Sequence, residues 1–137
     1  MPKPSAGDVW LYPYLWRRQY DAGETEGRKS RPIAFVASVV DKTGATNLFI
    51  LPITSQPPGV DRLSLEVPQI ERKRAGLDDM TLWILLDEYN HDILERSYYF
   101  EPGERLGAFS SAFHRKVLRT FVAATRRKQA LSVRRSD

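Results

Sequence analysis

The stretch that decides the fold is residues 33–53, which read IAFVASVVDKTGATNLFILPI. Its two ends are rich in β-branched and large apolar residues, whereas the middle, DKTG at 41–44, consists of residues that favour turns. Two apolar runs of this length on either side of a short polar turn are typical of an antiparallel hairpin. We therefore expect strands at 33–40 and 47–53.

Shorter patterns outside the hairpin predict the rest of a mainly β protein. Apolar runs predict strands at 7–12 and 82–86, and strict alternation of apolar and polar residues predicts another at 63–67. A short strand around 96–100 and one short helix within 68–79 are also expected. Strands this short, separated by turn residues, favour a small, strongly bent sheet or barrel.

The segment at 13–30 is a long polar loop between the first strand and the hairpin. Loops longer than about 12–15 residues are usually functional or disordered. Trp16 lies beside Arg17 and Arg18 in this loop, and aromatic plus basic side chains suit stacking on unpaired bases and contacts with phosphates. The alternative interpretation is that Trp16 packs as a plug against the sheet or a partner subunit.

The C-terminal part of the sequence changes its period. Apolar residues recur at helical spacing from 113 to 124, which predicts one amphipathic helix packed on the sheet. We find no internal repeat or linker that would divide the chain. We therefore expect a single domain at 1–125, followed by a basic, flexible tail at 126–137.

Composition excludes several classes of site. The chain of 137 residues has no cysteine, which excludes disulfides, zinc knuckles and thiol nucleophiles, and its two histidines disfavour a histidine-rich metal site. Its longest apolar runs fall short of the ~18–20 residues of a membrane helix, and its start lacks the apolar segment of a secretory signal. We expect a cytoplasmic protein that needs no metal, cofactor or membrane.

The charge is unevenly distributed along the chain. The net charge of +4 combines +2 for residues 1–60, −5 for residues 61–114 and +7 for residues 115–137. A basic C-terminal segment adds nonspecific affinity for a polyanion in one interpretation, and in the other is simply a solvated terminus. The overall charge is therefore weak evidence for a nucleic-acid partner.

Polar clusters flank the two strands of the predicted hairpin. RKSR at 28–31 enters the first strand, and TSQ at 54–56 leaves the second. Because the strands pair through the turn, residues 31 and 54 fall at the same open end, where a guanidinium and a hydroxyl together could hold a phosphate. The alternative is that both are ordinary solvated residues at strand ends.

Three motifs in order resemble the MazF/PemK (Kid) family of toxins. They are GDVW at 7–10, RPIAFV at 31–36 and LPITSQ at 51–56, and a leucine–glycine lead into the C-terminal helix is also similar. The resemblance covers roughly residues 6–125. It implies a small SH3-like barrel of the CcdB/MazF type with a C-terminal helix, which forms a homodimer and pairs with a cognate antitoxin.

The resemblance also implies an activity and a site. Members of the family are metal-independent endoribonucleases that cleave single-stranded RNA through attack of the 2′-hydroxyl on the phosphodiester. The family's catalytic arginine and threonine match Arg31 and Thr54. On this interpretation we expect RNA contacts from the residues of the two polar clusters and the long loop, namely Trp16, Arg17, Arg18, Arg28, Lys29, Ser55 and Gln56.

A fourth segment departs from the family. LLDEYNHD at 85–92 resembles a stretch that carries glutamine in the family where Glu88 stands, and arginine in the PemK branch where Leu85 stands. Asp87 and His91 are candidates for acid–base catalysis, although His91 also fits a surface turn. The two departures motivate an alternative function, a catalytically silent barrel that binds RNA or inhibits a target as gyrase poisons do.

Overall fold

The structure, a computed structural model, describes residues 3–24, 29–97, 99–127 and 130–135. Eight strands and three helices lie within these residues. The strands are β1 Asp8–Tyr12, β2 Arg31–Val40, β3 Thr46–Thr54, β4 Ser64–Glu66, β5 Trp83–Leu85, β6 Glu88–Ile93, β7 Arg105–Ala108 and β8 Leu131–Arg134. The helices are α1 Arg17–Asp21, α2 Gln69–Arg74 and α3 Ser111–Arg126, with 3₁₀ turns at Leu94–Arg96 and Pro102–Glu104.

The predicted hairpin forms the centre of the sheet. β2 pairs antiparallel with β3, with a bulge between Phe35 and Ala37. β1 and then β7 continue the sheet beyond β2. On the other side of β3, its first half pairs with β6 and its last two residues pair with β5, which in turn pairs with β4. The mainly β class is thus confirmed, as one mostly antiparallel sheet of eight strands.

The sheet buries apolar side chains on both faces. Ala34 and Val36 belong to a cluster that includes the buried side of α3, whereas Ile33 and Phe35 belong to a second, aromatic cluster with Trp10. Successive residues of a strand point to opposite faces. A strand covered on both sides therefore reads as the continuous apolar run at 33–36.

The amphipathic C-terminal helix is confirmed as α3. Ser110 is its N-cap, and the Ser110 hydroxyl accepts a hydrogen bond from the Phe113 N–H at 3.2 Å. The helix predicted within 68–79 is present but shorter, since α2 ends at Arg74. None of the helices in the described ranges is long and apolar enough to cross a membrane.

The strand expected around 96–100 is wrong for the described residues of that segment, and Tyr98 lies outside them. The strand forms earlier, as β6, whose buried positions include Glu88, Asn90 and Asp92. The Asn90 side chain forms two hydrogen bonds with the Leu15 backbone: Oδ1 accepts from the N–H at 2.9 Å, and Nδ2 donates to the carbonyl at 2.8 Å. Because its inward side chains are polar and satisfied by partners distant in sequence, an apolar alternation cannot reveal β6.

Part of the predicted flexible tail forms a strand. β8 pairs in parallel with β6, and Val133 is fully buried there. Beyond β8, Arg135 Nη1 donates to the Pro13 carbonyl at 2.8 Å and to Asn90 Oδ1 at 2.9 Å. Residues 130–135 are therefore tied to the sheet, while 128, 129, 136 and 137 lie outside the described residues.

Candidate functional site

Three neighbouring hollows share side chains and together form a groove. Arg31, Thr54 and Gln56 line both the first and the central hollow, and Arg18 and Arg62 line both the central and the third. The other linings are Lys29, Pro32, Ile53, Ser55, Leu77, Asp78, Met80 and Leu82 in the first hollow, Trp16, Pro57, Pro58, Gly59 and Leu85 in the central one, and Arg17, Asp21, Asp87, Glu88 and Leu131 in the third.

The hairpin brings Arg31 and Thr54 to one place. β2 begins at Arg31 and β3 ends at Thr54. Ile33 pairs with Pro52. Arg31, two residues before Ile33, and Thr54, two residues after Pro52, therefore both lie at the open end of the hairpin. Both then line the boundary between the first and central hollows. The juxtaposition expected from the sequence is therefore present.

The Thr54 hydroxyl is oriented by the chain that follows it. Thr54 is buried, and its Oγ1 accepts a hydrogen bond from the Gln56 N–H at 3.0 Å. A hydroxyl has one proton to donate in addition to its acceptor positions. Within the described residues, the Thr54 hydroxyl donates to no partner. It can therefore donate to an oxygen of a molecule in the groove.

The Arg31 guanidinium is held by an aromatic ring and by no acidic side chain of the described chain. Its Cζ lies 5.0 Å from the centre of the Trp16 ring, and its buried Nε has no hydrogen-bond partner there. Burial lowers the pKa of Arg31, and the positive charge of Arg18 lowers it further. An arginine nevertheless stays protonated in proteins, so Arg31 presents a positive charge that no described carboxylate neutralises.

Trp16 is the support for two guanidiniums. Only 5% of it is exposed, and Arg18 Cζ lies 5.2 Å from its ring, close to the corresponding distance of Arg31. The Tyr14 ring meets the Trp16 ring edge-on at 5.1 Å. Of the two roles considered for Trp16, the structure favours packing against the sheet, because a side chain this buried exposes too little surface for a base to stack on.

Arg62, which also lines the central hollow, is held quite differently. Its Nε and Nη2 donate to the two oxygens of Asp87 at 2.6 and 2.7 Å, and Nη2 also donates to Glu88 at 3.0 Å. The hydrogen bond to Asp87 is the main cause that raises the pKa of Arg62. Two carboxylates therefore neutralise this guanidinium.

Asp87 and Glu88 have structural partners. In addition to its ion pair with Arg62, Asp87 accepts a hydrogen bond from the Leu63 N–H at 3.3 Å. Glu88 Oε1 accepts from the Tyr14 hydroxyl at 3.1 Å and from the Arg17 N–H at 3.0 Å. Asp87 lies in the third hollow, so the structure does not place this acid–base candidate beside Arg31 and Thr54.

His91 is distant from the hairpin end. It pairs with Phe49 across β6 and β3, and its ring stacks on the Phe49 ring at 5.2 Å. Its Nε2 lies 2.7 Å from the Asn47 amide oxygen. Thr54 is five residues beyond Phe49 along β3, which corresponds to roughly 17 Å. The second acid–base candidate is therefore also not brought to the site.

The remaining candidates are spread along the groove. Lys29 and Ser55 line the first hollow, Gln56 the first and central hollows, and Arg17 the third. Arg17 is already engaged, since it pairs with Asp21 at 3.2 Å and donates to the Ser132 carbonyl at 2.8 Å. Arg28 lies outside the described residues.

Sequence reasoning missed Arg62 as a groove residue. It stands before an ordinary alternating strand, and its role depends on carboxylates 25 and 26 positions away, a contact that no local pattern signals. The sequence did indicate position 85 as a candidate, and Leu85 does line the central hollow. Within the described ranges, no group of three or more histidine, aspartate or glutamate side chains is placed to hold a metal ion.

The central hollow can bind a phosphate. Three arginines line it, two of them without a described acidic partner, and none of its described lining residues is an aspartate or glutamate. A guanidinium offers parallel N–H donors that match phosphate oxygens, and the Thr54 hydroxyl adds a directed donor. No protein-family model matches the sequence, and a search of curated proteins finds no significant match.

Proposed function

We propose that this protein is an endoribonuclease of the MazF/PemK type, the toxin of a type II toxin–antitoxin pair that acts in the cytoplasm on single-stranded RNA. The observation that carries the proposal is the meeting of Arg31 and Thr54 in a groove whose central hollow has arginine side chains and no described acidic one. Arg31 belongs to the motif RPIAFV and Thr54 to the motif LPITSQ, the two motifs that resemble the catalytic segments of that family.

The proposed reaction needs positioning and charge stabilisation. The RNA 2′-oxygen forms a bond to the adjacent phosphorus, and the bond from phosphorus to the 5′-oxygen breaks. The 2′-hydroxyl loses its proton and the leaving 5′-oxygen gains one, so the products are a cyclic phosphate and a 5′-hydroxyl. Arg31 stabilises the charge that builds on the phosphate oxygens, and Thr54 donates a hydrogen bond that fixes one of them.

The fold supports the same proposal. A bulge bends β2 against β3, and the two halves of β3 pair with different strands on the opposite side. This curvature favours a small SH3-like barrel of the CcdB/MazF type. A homodimer and a small acidic antitoxin encoded beside the gene are part of the proposal. Sedimentation of the purified chain and its co-purification with that neighbouring product test them.

The decisive experiment is cleavage of a long single-stranded RNA in EDTA, with new ends mapped by primer extension. We expect discrete cuts that need no metal. Removing one donor to the transition state typically costs about 10²- to 10³-fold in rate, and we expect losses of this size for Arg31→Ala and Thr54→Val. Arg74→Ala and Thr120→Val are matched controls outside the groove, and both should cleave at the parent rate.

A second function is favoured by one observation. Leu85 is buried in the wall of the central hollow, at the position where the PemK branch carries an arginine. If the chain lacks a catalytic group there, the groove binds RNA or another target without cleaving it. Folded parent protein that binds RNA at stoichiometric concentration but produces no new ends would establish this alternative and overturn the proposed nuclease.

A further inference from the structure

Two guanidiniums converge on one indole ring in the central hollow. The Cζ atoms of Arg31 and Arg18 lie 5.0 and 5.2 Å from the centre of the Trp16 ring. The two charges are therefore at most about 10 Å apart, and neither forms an ion pair with a described carboxylate. Like charges so close repel each other, and the positive charge of Arg18 contributes to the lowered pKa of Arg31.

Such an arrangement needs something to hold it. An aspartate would hold either guanidinium, as Asp87 holds Arg62, but it would also compete with an anionic ligand. An aromatic ring attracts a cation through its quadrupole without neutralising it. Trp16 is buried, and its Nε1 has no hydrogen-bond partner in the described chain. Its position is thus explained by packing and by the two cations, not by a polar partner of its own.

We propose that Trp16 positions Arg31 and Arg18 as two anion subsites, which bind two successive phosphates of one nucleic-acid strand. This inference rests on the proposed function for the identity of the strand and adds to it the order of the phosphates. The phosphate at Arg31 and Thr54 is the reacting one, and its neighbour lies at Arg18, toward Arg62 and the third hollow. The two guanidiniums, at most about 10 Å apart, are close enough to contact neighbouring phosphates of a single strand.

The test uses DNA trimers that cannot be cleaved by 2′-attack. The ligand is the thymidine trimer TpTpT, which has two charged phosphates. Its two isomers with a single neutral methylphosphonate linkage have the same size and one charge fewer. Binding is measured by NMR titration of the folded parent and of each variant, and inorganic phosphate is titrated separately as a small dianion.

The proposal predicts a specific pattern of coupling. Arg31→Ala should weaken TpTpT, and so should Arg18→Ala, by about 3- to 30-fold each for a lost charged contact. In Arg18→Ala, one of the two methylphosphonate isomers should bind as well as TpTpT itself, because the subsite that it leaves uncharged is already lost. Non-additivity of this kind identifies the partner of Arg18.

The role of Trp16 has its own variants. Trp16→Leu should weaken TpTpT by about 3- to 30-fold, the range of a cation–π contact from exposed to desolvated sites. Trp16→Phe should restore part of the affinity, which a purely structural role through volume would not require. In the Arg31→Ala, Arg18→Ala double variant, Trp16→Phe should have no further effect. Tyr20→Leu is the matched control, since Tyr20 is exposed and its ring contacts Arg17 alone among described cations.

Three results would overturn the proposal. One is an equal loss for Arg18→Ala with TpTpT and with both methylphosphonate isomers. Another is inorganic phosphate binding as tightly as TpTpT through both arginines, which would indicate one dianion site. The third is no measurable binding of TpTpT by the parent. Because the trimers are not cleaved, these results are independent of RNA cleavage, whose absence would contradict the proposed nuclease alone.

Discussion

Arg31 and Arg62 line the same hollow but are held in opposite ways. Arg31 lies on the Trp16 ring without a described carboxylate partner, whereas Arg62 is bound by both oxygens of Asp87 and by Glu88. An ion pair fixes a guanidinium firmly but uses its charge, and an aromatic ring fixes it less firmly and leaves the charge available. The comparison separates an arginine that holds the fold together from one that can act on a ligand.

The same comparison explains the acidic residues of this region. The middle of the sequence carries a net charge of −5, which taken alone disfavours a polyanionic ligand. Yet Asp87 and Glu88 direct their charge at Arg62 and lie in the third hollow, outside the lining of the central one. The location of a charge, and its partner, therefore matter more for binding here than the total for a segment.

The largest expected effect is on stability, at Arg62. Arg62→Ala leaves the largely buried carboxylates of Asp87 and Glu88 without the guanidinium that pairs with both. Loss of one member of a buried pair costs about 3–5 kcal/mol, and partial exposure of Arg62 puts our expectation near ~3 kcal/mol. Arg31→Ala, which removes an unpaired and repelled charge, should leave the free energy of unfolding nearly unchanged. Urea denaturation of both variants compares them directly, and equal losses would contradict the distinction.

A third guanidinium, that of Arg135, tests the comparison from another side. It lies 5.2 Å from the Tyr12 ring and 5.4 Å from the Tyr99 ring, and it also donates to Pro13 and Asn90. Hydrogen bonds from a charged donor contribute about 1.5–3 kcal/mol. We expect Arg135→Ala to lower the free energy of unfolding by about 2 kcal/mol and to loosen β8, measured by hydrogen exchange of the β6 and β8 amides. Unchanged exchange would mean that the backbone bonds of β8 and the buried Val133 hold the strand without Arg135.

The success and failure of the sequence interpretation follow the same physical division. The hairpin and α3 were predictable because their buried residues are apolar and their periods are two and about 3.6. β6 was not, since its inward positions are Glu88, Asn90 and Asp92, which are satisfied by residues far away in the chain. β8 was not predictable either, because a short basic segment is typical of a solvated terminus. Only the structure shows that Arg135 forms hydrogen bonds with Pro13 and Asn90.

The candidate site was predictable to a similar extent. The meeting of Arg31 and Thr54 followed from hairpin pairing, which is local in sequence. The support of Arg31 by Trp16 did not, because the indole lies in a segment without a recognisable period and its contact with Arg31 is tertiary. A sequence can therefore indicate which groups carry the chemistry before it indicates what positions them.

A smaller effect is expected when Arg62 loses one of its carboxylate partners and so becomes more like Arg31, which has none among the described residues. Glu88→Gln removes one of the two carboxylates that bind Arg62 while keeping the shape of the side chain. We expect a loss of about 1 kcal/mol in stability, because charge-assisted bonds become neutral ones. Affinity for TpTpT should rise by about 2- to 5-fold at low salt, since one negative charge near the groove is lost. An affinity that stays the same would mean that Asp87 alone neutralises Arg62.

The smallest effect concerns pH, which should act on the fold rather than on the groove. Burial is the main cause that lowers the pKa of His91, and the nearby Arg134 adds to it while Asp92 opposes it. Burial also lowers the pKa of His114. The unfolded chain then binds more protons than the folded one below the ordinary histidine pKa of about 6.5, so stability should fall as the pH decreases from there.

The groove itself should not titrate in this range, because guanidiniums stay protonated and His91 is far from Thr54. His91→Asn should therefore flatten part of the pH dependence of urea denaturation and leave the pH profile of RNA cleavage as it is in the parent. The paired measurement is decisive. A cleavage profile that shifts with His91→Asn would mean that His91 takes part in proton transfer, contrary to its position on β6 far from Thr54.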